Sequence, residues 1–184
     1  TVDGVSHPLH NPFFVMATQN PIEHHGTYDL PEAQLDSFLI RINIGYPPAS
    51  QEEEILEAQR EVHPIFNLNP VIDLPTLQRY QRCARKVFVK PNLRKYIVSI
   101  SNETRNHPDV LVGASIRGSL GLMRAGQASA IIDGRDFVTP EDIREMARYV
   151  LSHRLVLLPS AVLAGVKPTE IVESVLKKVP VPVQ

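Results

Sequence analysis

The sequence has few cysteines and aromatic residues and no excess of either charge. Its 184 residues include one cysteine, no tryptophan and 6% aromatic residues. A single thiol cannot form an internal disulfide, so a secreted scaffold built on disulfides is excluded. Nineteen basic and twenty acidic residues leave a net charge of −1. This balance gives no electrostatic basis for binding nucleic acid or an anionic membrane.

Long apolar runs and a leader segment are also missing. No stretch of about eighteen apolar residues could span a bilayer, and the start has no signal-peptide pattern. We therefore expect a cytoplasmic protein without a membrane span, of one domain or one and a half at about 150 residues per domain. Two features do not fit a complete ordinary domain. The chain has 16 prolines, a high share, and it opens on Thr1 without an initiator methionine, as if cut from a longer chain.

The first quarter of the sequence is typical of α/β structure. Asp3-Gly4 predicts a two-residue hairpin turn, because both turn positions must accept positive φ. The apolar run 13–17 lacks alternation, which is typical of a strand covered on both faces. A second apolar segment, 38–44, follows a helix-like stretch from Glu32 to Asp36. Strand, helix and strand indicate an α/β unit, but one too small for a whole sheet.

After Gly45 the sequence predicts a bundle of five or six helices. Ser50 and Glu53 predict a capping box for a helix that runs to Glu61, and Pro75 suits the first turn of the next helix. Apolar stripes and end signals predict the others: around 93–100, from Ser115 to Ile132 with a stop at Gly134, from Thr139-Pro140 to Leu151, and over 169–178. We thus expect a mostly α fold, with final α/β elements over residues 1–46 and helices over 47–184.

Two polar residues occupy places where a ligand could bind. Asn20 follows the apolar run 13–17, and open α/β sheets bind ligands at the carboxyl ends of their strands. The alternative for Asn20 is a plain Asn-Pro turn. Arg117 falls in the first turn of a helix that Ser115 can cap, where a cation opposes the macrodipole. A phosphate would satisfy both the arginine and the helix N–H groups, whereas an ion-paired or snorkelling arginine is the alternative.

Other signals for nucleotide, metal or nucleophile chemistry are incomplete. The gap between Gly113 and Gly118 is that of a phosphate-binding loop, but no lysine follows it, so these small residues favour close helix packing. The pair His24-His25 lacks the spacing of a metal site, and we expect no metal there. Cys83 lies on or beside the apolar stripe of a helix, which favours a buried cysteine without a chemical role.

Two motifs resemble those of the MoxR family of AAA+ ATPases. The first runs from Phe14 to Glu23 and continues through 26–28 and 30–36. The second, Gly113-Ala114-Ser115-Ile116-Arg117, is similar to that family's lid motif, usually Gly-Ala-Ser-Pro-Arg. The resemblance extends over nearly the whole chain. It implies that residues 1–46 are the end of an α/β P-loop ATPase core, with its final strands and helix, and that residues 47–184 are the helical lid domain.

The resemblance also implies roles for single residues. Asn20 matches sensor 1, which helps to place the water that attacks the γ-phosphate. Arg117 matches sensor 2, a lid arginine that contacts the nucleotide phosphates, and Ser115 stands beside it in the same motif. Ser37 departs from the family, which usually has there the candidate arginine finger that reaches a neighbouring subunit. Arg41 could replace it or have a purely structural role. Ile116 stands where the family's lid motif usually has proline, and this is a milder departure from the family than Ser37.

The segments that hold phosphate are not found in these 184 residues. In the family, Walker A and Walker B precede the position where this chain begins. The resemblance therefore implies the C-terminal part of a longer protein that binds ATP and Mg²⁺ and hydrolyses ATP as a ring, expected to be a hexamer. It would act as a chaperone that remodels or matures partner proteins, with von Willebrand factor A domain proteins among the partners. We expect this fragment alone to bind ATP poorly and not to hydrolyse it.

Two other functions stay open at this point. Ser37 and the missing phosphate loop favour a non-catalytic helical adaptor. Lid helices can also imitate a helix-turn-helix, but neither the charge balance nor the helix faces favour DNA binding. The coding sequence upstream of Thr1 would separate the first two readings, since a Gly-x-x-x-x-Gly-Lys-Ser/Thr motif there indicates the ATPase.

Overall fold

A computed structural model describes residues 3–19 and 30–182 of the chain, which form a mostly helical fold with one small sheet. The expected mostly α class is therefore confirmed. The helices are α1 (Glu32–Leu35), α2 (Ala49–Ala58), α3 (Leu74–Ala84), α4 (Pro91–Arg105), α5 (Ile116–Ile132), α6 (Pro140–Leu151), α7 (Pro159–Leu163) and α8 (Pro168–Lys178). Short 3₁₀ turns occupy Pro64–Asn67 and Ser152–Arg154. Among the described helices, none is both long and apolar enough to cross a bilayer.

The hydrophobic core lies in the second half of the chain. Every buried apolar side chain of the described residues falls between Val87 and Val179. Helix α5 is central, because it packs along α6 and also contacts α3 and α4, while α8 closes the bundle against α4 and α6. The apolar stripe predicted for α4 is buried as expected: Leu93, Tyr96, Ile97 and Ile100.

Local sequence signals account for several helix ends. Asp73 caps α3 by accepting a hydrogen bond from the Thr76 N–H at 2.9 Å. Thr139 caps α6 in a reciprocal capping box with Asp142, as the Thr-Pro start predicts. Gly134 follows α5 with a positive φ of 75°, which is the predicted stop. Burial alone would raise the pKa of Asp142, but hydrogen bonds from Arg135 and Thr139 outweigh it and lower that pKa.

Three predictions of local structure are wrong. Residues 13–17 and 38–44 form no strand, and Phe14 and Met16 are exposed. A strand buried on both faces needs neighbours, and within the described residues no strand lies beside these segments. Helix α2 begins at Ala49 after Pro48, with no side-chain cap and with Ser50 already inside it. The Asp3-Gly4 turn is confirmed, since both residues have positive φ.

A two-stranded antiparallel sheet, which the sequence did not predict, positions the site described below. Strand β1 (Val110–Val112) pairs with β2 (Val156–Leu157), with Val110 opposite Leu157. The segment after β1 leads into α5, and the segment before β2 contains Arg154. This pairing therefore brings the start of α5 next to Arg154.

Candidate functional site

The loop that precedes α5 is held tightly against the end of α4. A Cβ on Gly113 would lie 2.6 Å from the backbone N and Cα of Arg105, so only glycine permits this approach. Ala114 is fully buried, and both of its backbone groups bind α4. Its N–H donates to Thr104 Oγ1 at 3.0 Å, and its carbonyl accepts from Arg105 Nε at 2.8 Å. The loop thereby fixes where α5 begins.

At the start of α5, Ser115 and Arg117 both bind the carboxylate of Asp36. Ser115 occupies the N-cap position, but its hydroxyl makes no cap bond and lies 3.3 Å from each Asp36 oxygen instead. Arg117 Nη1 donates to Asp36 Oδ2 at 3.3 Å and to Ser37 Oγ at 3.2 Å. The side chain of Arg117 is still 59% exposed. Predicted lid residues and the end of the first motif thus meet at one place.

A second arginine holds Asp36 from the opposite, buried side. The side chain of Arg154 is 2% exposed, and its Nε lies 3.1 Å from Asp36 Oδ1. Its other nitrogens donate to backbone carbonyls of the same segment: Asp36 at 3.2 Å, Phe38 at 2.5 Å and Leu39 at 3.2 Å. Its Nη1 also donates to the Val150 carbonyl of α6. Arg154 therefore ties residues 36–39 to the helical bundle.

The local electrostatics favour an anion. Burial lowers the pKa of Arg154, and the Asp36 carboxylate beside it offsets part of that effect. The guanidinium remains charged because arginine does not lose its proton in proteins. One carboxylate thus faces two guanidinium groups, Arg154 and Arg117, and Arg117 is the one that reaches solvent. The cluster carries a surplus positive charge at a helix N-terminus, which also favours anions.

Two glycines of α5 leave the space that Arg154 fills. A Cβ on Gly118 would lie 3.3 Å from Arg154 Cδ, and one on Gly121 would lie 3.3 Å from Val150 Cγ1 and 3.5 Å from Leu39 Cδ1. These distances confirm that the glycines serve close packing rather than a phosphate loop.

Ser37 and Arg41 differ in how they are held. Ser37 Oγ donates to the Ala33 carbonyl at 3.4 Å and accepts from Arg117. Arg41 is exposed, and its backbone N–H donates to the Tyr149 carbonyl of α6 at 2.9 Å. Within the described part of the chain its guanidinium has no ion pair. The backbone at Arg41 is thus anchored while its charge faces outward.

Some of the predicted site residues cannot be placed. Asn20 and the pair His24-His25 lie outside the described residues. Over residues 3–19 and 30–182 no group of three His, Cys, Asp or Glu side chains could hold a metal ion. Cys83 is exposed, so its predicted burial is wrong, because α3 has no buried residue.

A serine, a histidine and an aspartate also meet between the end of α4, the start of β1 and α8. His107 Nε2 lies 3.1 Å from Ser174 Oγ, and Asp109 Oδ2 lies 3.9 Å from His107 Nδ1. However, Ser174 Oγ already donates to the Ile171 carbonyl, and His107 Nδ1 already accepts from the Asp109 N–H. The Ser174 hydroxyl proton therefore does not point at His107, and His107 Nδ1 carries no proton to donate to the Asp109 carboxylate. This cluster is not an activated nucleophile.

Sequence reasoning missed Arg154 and the central place of Asp36. Asp36 was part of a motif but had no role, and Arg154 follows α6 without any periodic or motif signal. The two residues are 118 positions apart. They meet only in the folded chain, and a contact between residues so far apart leaves no local pattern in the sequence.

Two family descriptions match separate parts of the chain. A family described as "ATPase family associated with various cellular activities (AAA)" matches residues 1–40. A family described as "AAA lid domain" matches residues 102–175. Asp36 falls in the first match, whereas Ser115, Arg117 and Arg154 fall in the second.

Known proteins similar to this chain carry both parts. The chain is 46% identical to the uncharacterized protein YeaC of Bacillus subtilis (strain 168), over 100% of this chain and 58% of that protein. It is 39% identical to "Chaperone MoxR1" of Mycobacterium tuberculosis, over 99% of this chain and 50% of that protein. A crystal structure of a candidate ATPase from Cytophaga hutchinsonii superposes with a TM-score of 0.91 at 33% identity, covering 100% of this chain and 58% of the other. The chain thus spans between 50% and 58% of the length of these relatives.

Proposed function

Because the chain belongs to the MoxR family of AAA ATPases, with the end of the AAA core followed by a lid domain, we propose that it forms the nucleotide-sensing part of a longer ATPase. We assign residues 1–46 to the core and 47–184 to the lid. The full-length protein would bind ATP with Mg²⁺, hydrolyse it as a ring and use the energy to remodel client proteins. Von Willebrand factor A domain proteins are the proposed partners.

The observation that carries this proposal is the surplus positive charge at the start of α5. Among the described residues, the one carboxylate that pairs with Arg117 is Asp36, which Arg154 already neutralises. An exposed ion pair is worth about 0.2–1 kcal/mol, so little free energy holds Arg117 on Asp36. A nucleotide phosphate would therefore take Arg117 from Asp36. In this proposal Arg117 acts as sensor 2, with Ser115 beside it, and Asn20 acts as sensor 1.

The residues described here fit a phosphate group but do not supply the whole reaction. ATP provides the phosphoryl group, and Arg117 would hold it by charge and hydrogen bonding. Arg41 keeps an outward-facing guanidinium on an anchored backbone, which suits a charge that reaches a neighbouring subunit where Ser37 cannot. A ring is the arrangement in which such a residue would act.

The test is ATP hydrolysis by the full-length protein with Arg117→Ala. We expect hydrolysis to fall about 10- to 100-fold, which corresponds to the loss of one charge-assisted hydrogen bond, while the circular dichroism spectrum stays unchanged. Arg124→Ala is the matched control, since Arg124 is exposed on the same helix and its Nη1 donates to Gln127 Oε1 at 3.0 Å. Unchanged kinetics in Arg117→Ala would reduce Arg117 to a structural ion pair and remove the basis of the proposal.

A further inference from the structure

Arg154 is a buried charge to which the proposed function gives no role. Its side chain is 2% exposed, and its donors point at residues 36–39, at α6 and at the neighbouring His153, whose Nε2 lies 2.8 Å from Arg154 Nη1. One carboxylate and four carbonyls receive its hydrogen bonds: Asp36 Oδ1 and the backbone oxygens of Asp36, Phe38, Leu39 and Val150. An arginine that only filled space would not need so complete a set of acceptors.

Asp36 transmits the position of Arg154 to the start of α5. Arg154 binds Oδ1, Arg117 binds Oδ2, and Ser115 Oγ lies 3.3 Å from both oxygens. The carboxylate is therefore shared between a buried cation and an exposed one. Removing one partner of a buried ion pair costs far more than removing one partner of an exposed pair. Arg154 stays on Asp36 while Arg117 is free to exchange.

The charge of Arg154 also sets how strongly Asp36 holds Arg117. With Arg154 in place, the carboxylate is already neutralised from its buried side, so its attraction for Arg117 is reduced. Without Arg154, a full negative charge would face Arg117 and compete with any phosphate. Arg154 therefore favours phosphate binding by Arg117 in two ways. It orients the Asp36 carboxylate, and it weakens the attraction of that carboxylate for Arg117.

We propose that Arg154 is a positioning residue for the nucleotide phosphate: by fixing and neutralising Asp36, it places Arg117 where it binds phosphate and lets it leave Asp36. This rests on the proposed function, in which Arg117 contacts the nucleotide. Arg154 itself does not touch the nucleotide and acts only through Asp36. Its effect must therefore disappear when Arg117 is absent.

A double-mutant cycle in the full-length protein tests this dependence. The readout is the dissociation constant of a non-hydrolysable ATP analogue, the β,γ-imidodiphosphate, measured by titration calorimetry. We expect Arg117→Ala to weaken binding about 10- to 100-fold and Arg154→Lys to weaken it about three- to tenfold. Lysine keeps the charge but cannot reach five acceptors at once. In the double variant the affinity should equal that of Arg117→Ala alone.

A matched control separates positioning from general loss of stability. Arg144 is a partly buried arginine of α6, the helix that precedes Arg154, and its Nη1 donates to the Leu176 carbonyl at 2.9 Å. Arg144→Lys should lower the melting temperature yet leave the dissociation constant unchanged. If Arg154→Lys binds like wild type, or if its effect adds fully to that of Arg117→Ala, the proposal is overturned. Unchanged binding in Arg117→Ala would instead overturn the proposed function.

Asp36→Asn gives a second, independent variant if Arg154→Lys does not fold. The amide keeps an acceptor for Arg154 but loses the charge, and the Asp36 side chain is 25% exposed. We expect weaker binding of the analogue, and no weakening once Arg117 is alanine. Tighter binding in Asp36→Asn would show that the carboxylate only competes with phosphate for Arg117, which contradicts a positioning role.

Discussion

At the scale of single residues, His153 is a partly buried imidazole beside Arg154. Its Nε2 lies 3.1 Å from the Phe38 carbonyl and 2.8 Å from Arg154 Nη1. Its Nδ1 is buried. Burial lowers the pKa of His153, and the positive charges of Arg154 and Arg41 lower it further. The ring is therefore neutral in the folded protein, since a second proton would add a charge beside two guanidinium groups.

The free energy of unfolding should consequently depend on pH through His153. In the unfolded chain the imidazole titrates near its usual pKa of about 6.5. As the pH drops from there toward the lowered pKa of His153 in the folded state, the unfolded state binds more protons than the folded state, so stability falls, by at most about 1.4 kcal/mol per pH unit. Urea unfolding between pH 7.5 and pH 5 measures this slope, with both pH values chosen as roughly bracketing that pKa.

His153→Gln should reduce the slope, because glutamine does not titrate. His10→Gln is the control for removing an imidazole from an exposed position. An equal slope in wild type and His153→Gln would mean that the buried imidazole does not control acid sensitivity.

At the scale of elements, the junction of α4 and α5 depends on the absence of a side chain at Gly113. The loop is bound to α4 through both backbone groups of Ala114, and it determines where Ser115 and Arg117 lie. Close contact of two backbones leaves no side chain that could rotate away. This junction is therefore stiffer than an ordinary helix contact.

We expect Gly113→Ala to lower the free energy of unfolding by about 3 kcal/mol, at the upper end of the range for overpacking. The added methyl group would lie 2.6 Å from backbone atoms of Arg105, which cannot move without breaking α4. Urea unfolding followed by far-UV circular dichroism measures the loss.

Gly126→Ala is the matched comparison within α5. Its methyl group would lie 2.7 Å from Ile143 Cδ1, the end of a side chain that can rotate. Alanine also gains about 1 kcal/mol of helix propensity over glycine. Its loss of stability should therefore be smaller than that of Gly113→Ala, and equal losses would contradict the backbone argument.

At the scale of the whole molecule, the two halves of the chain differ in how much apolar surface they bury. The core begins at Val87, whereas Phe14, Tyr46 and Val71 are 81%, 93% and 94% exposed. Large apolar side chains left this exposed suit an interaction surface. In the proposed full-length ATPase, residues 3–19 and the segment after α1 would pack against the rest of the AAA core.

The 184-residue chain expressed alone should not hydrolyse ATP. Phosphoryl transfer requires a phosphate cradle, Mg²⁺ and a positioned water together, and no glycine of the sequence is followed by lysine. Phosphate release should equal that of a protein-free blank at every ATP concentration. Turnover above the blank that disappears in Arg117→Ala would show that these residues form a complete site, contrary to this expectation.

Much of the fold and part of the site could be predicted from sequence. Periodic stripes indicated α4 and α6, and the Thr139-Pro140 signal gave the start of α6 because capping depends on residues within one turn. Arg117 and Ser115 were identified as candidates because an arginine in the first turn of a helix needs an anion. The strands expected at 13–17 and 38–44 did not form, because a strand is stable only beside a neighbouring strand.

The sequence by itself determined most of the helices, the capped start of α6 and the family to which the chain belongs, since these depend on neighbouring residues and on contiguous motifs. Only the tertiary structure decided that Asp36 joins Ser115, Arg117 and Arg154. The pairing of β1 with β2 and the close approach of Gly113 to Arg105 bring those residues together. Contacts between residues 118 positions apart leave no periodicity in the sequence. Their loop-closure entropy and their interaction energy both arise only when the whole chain is folded.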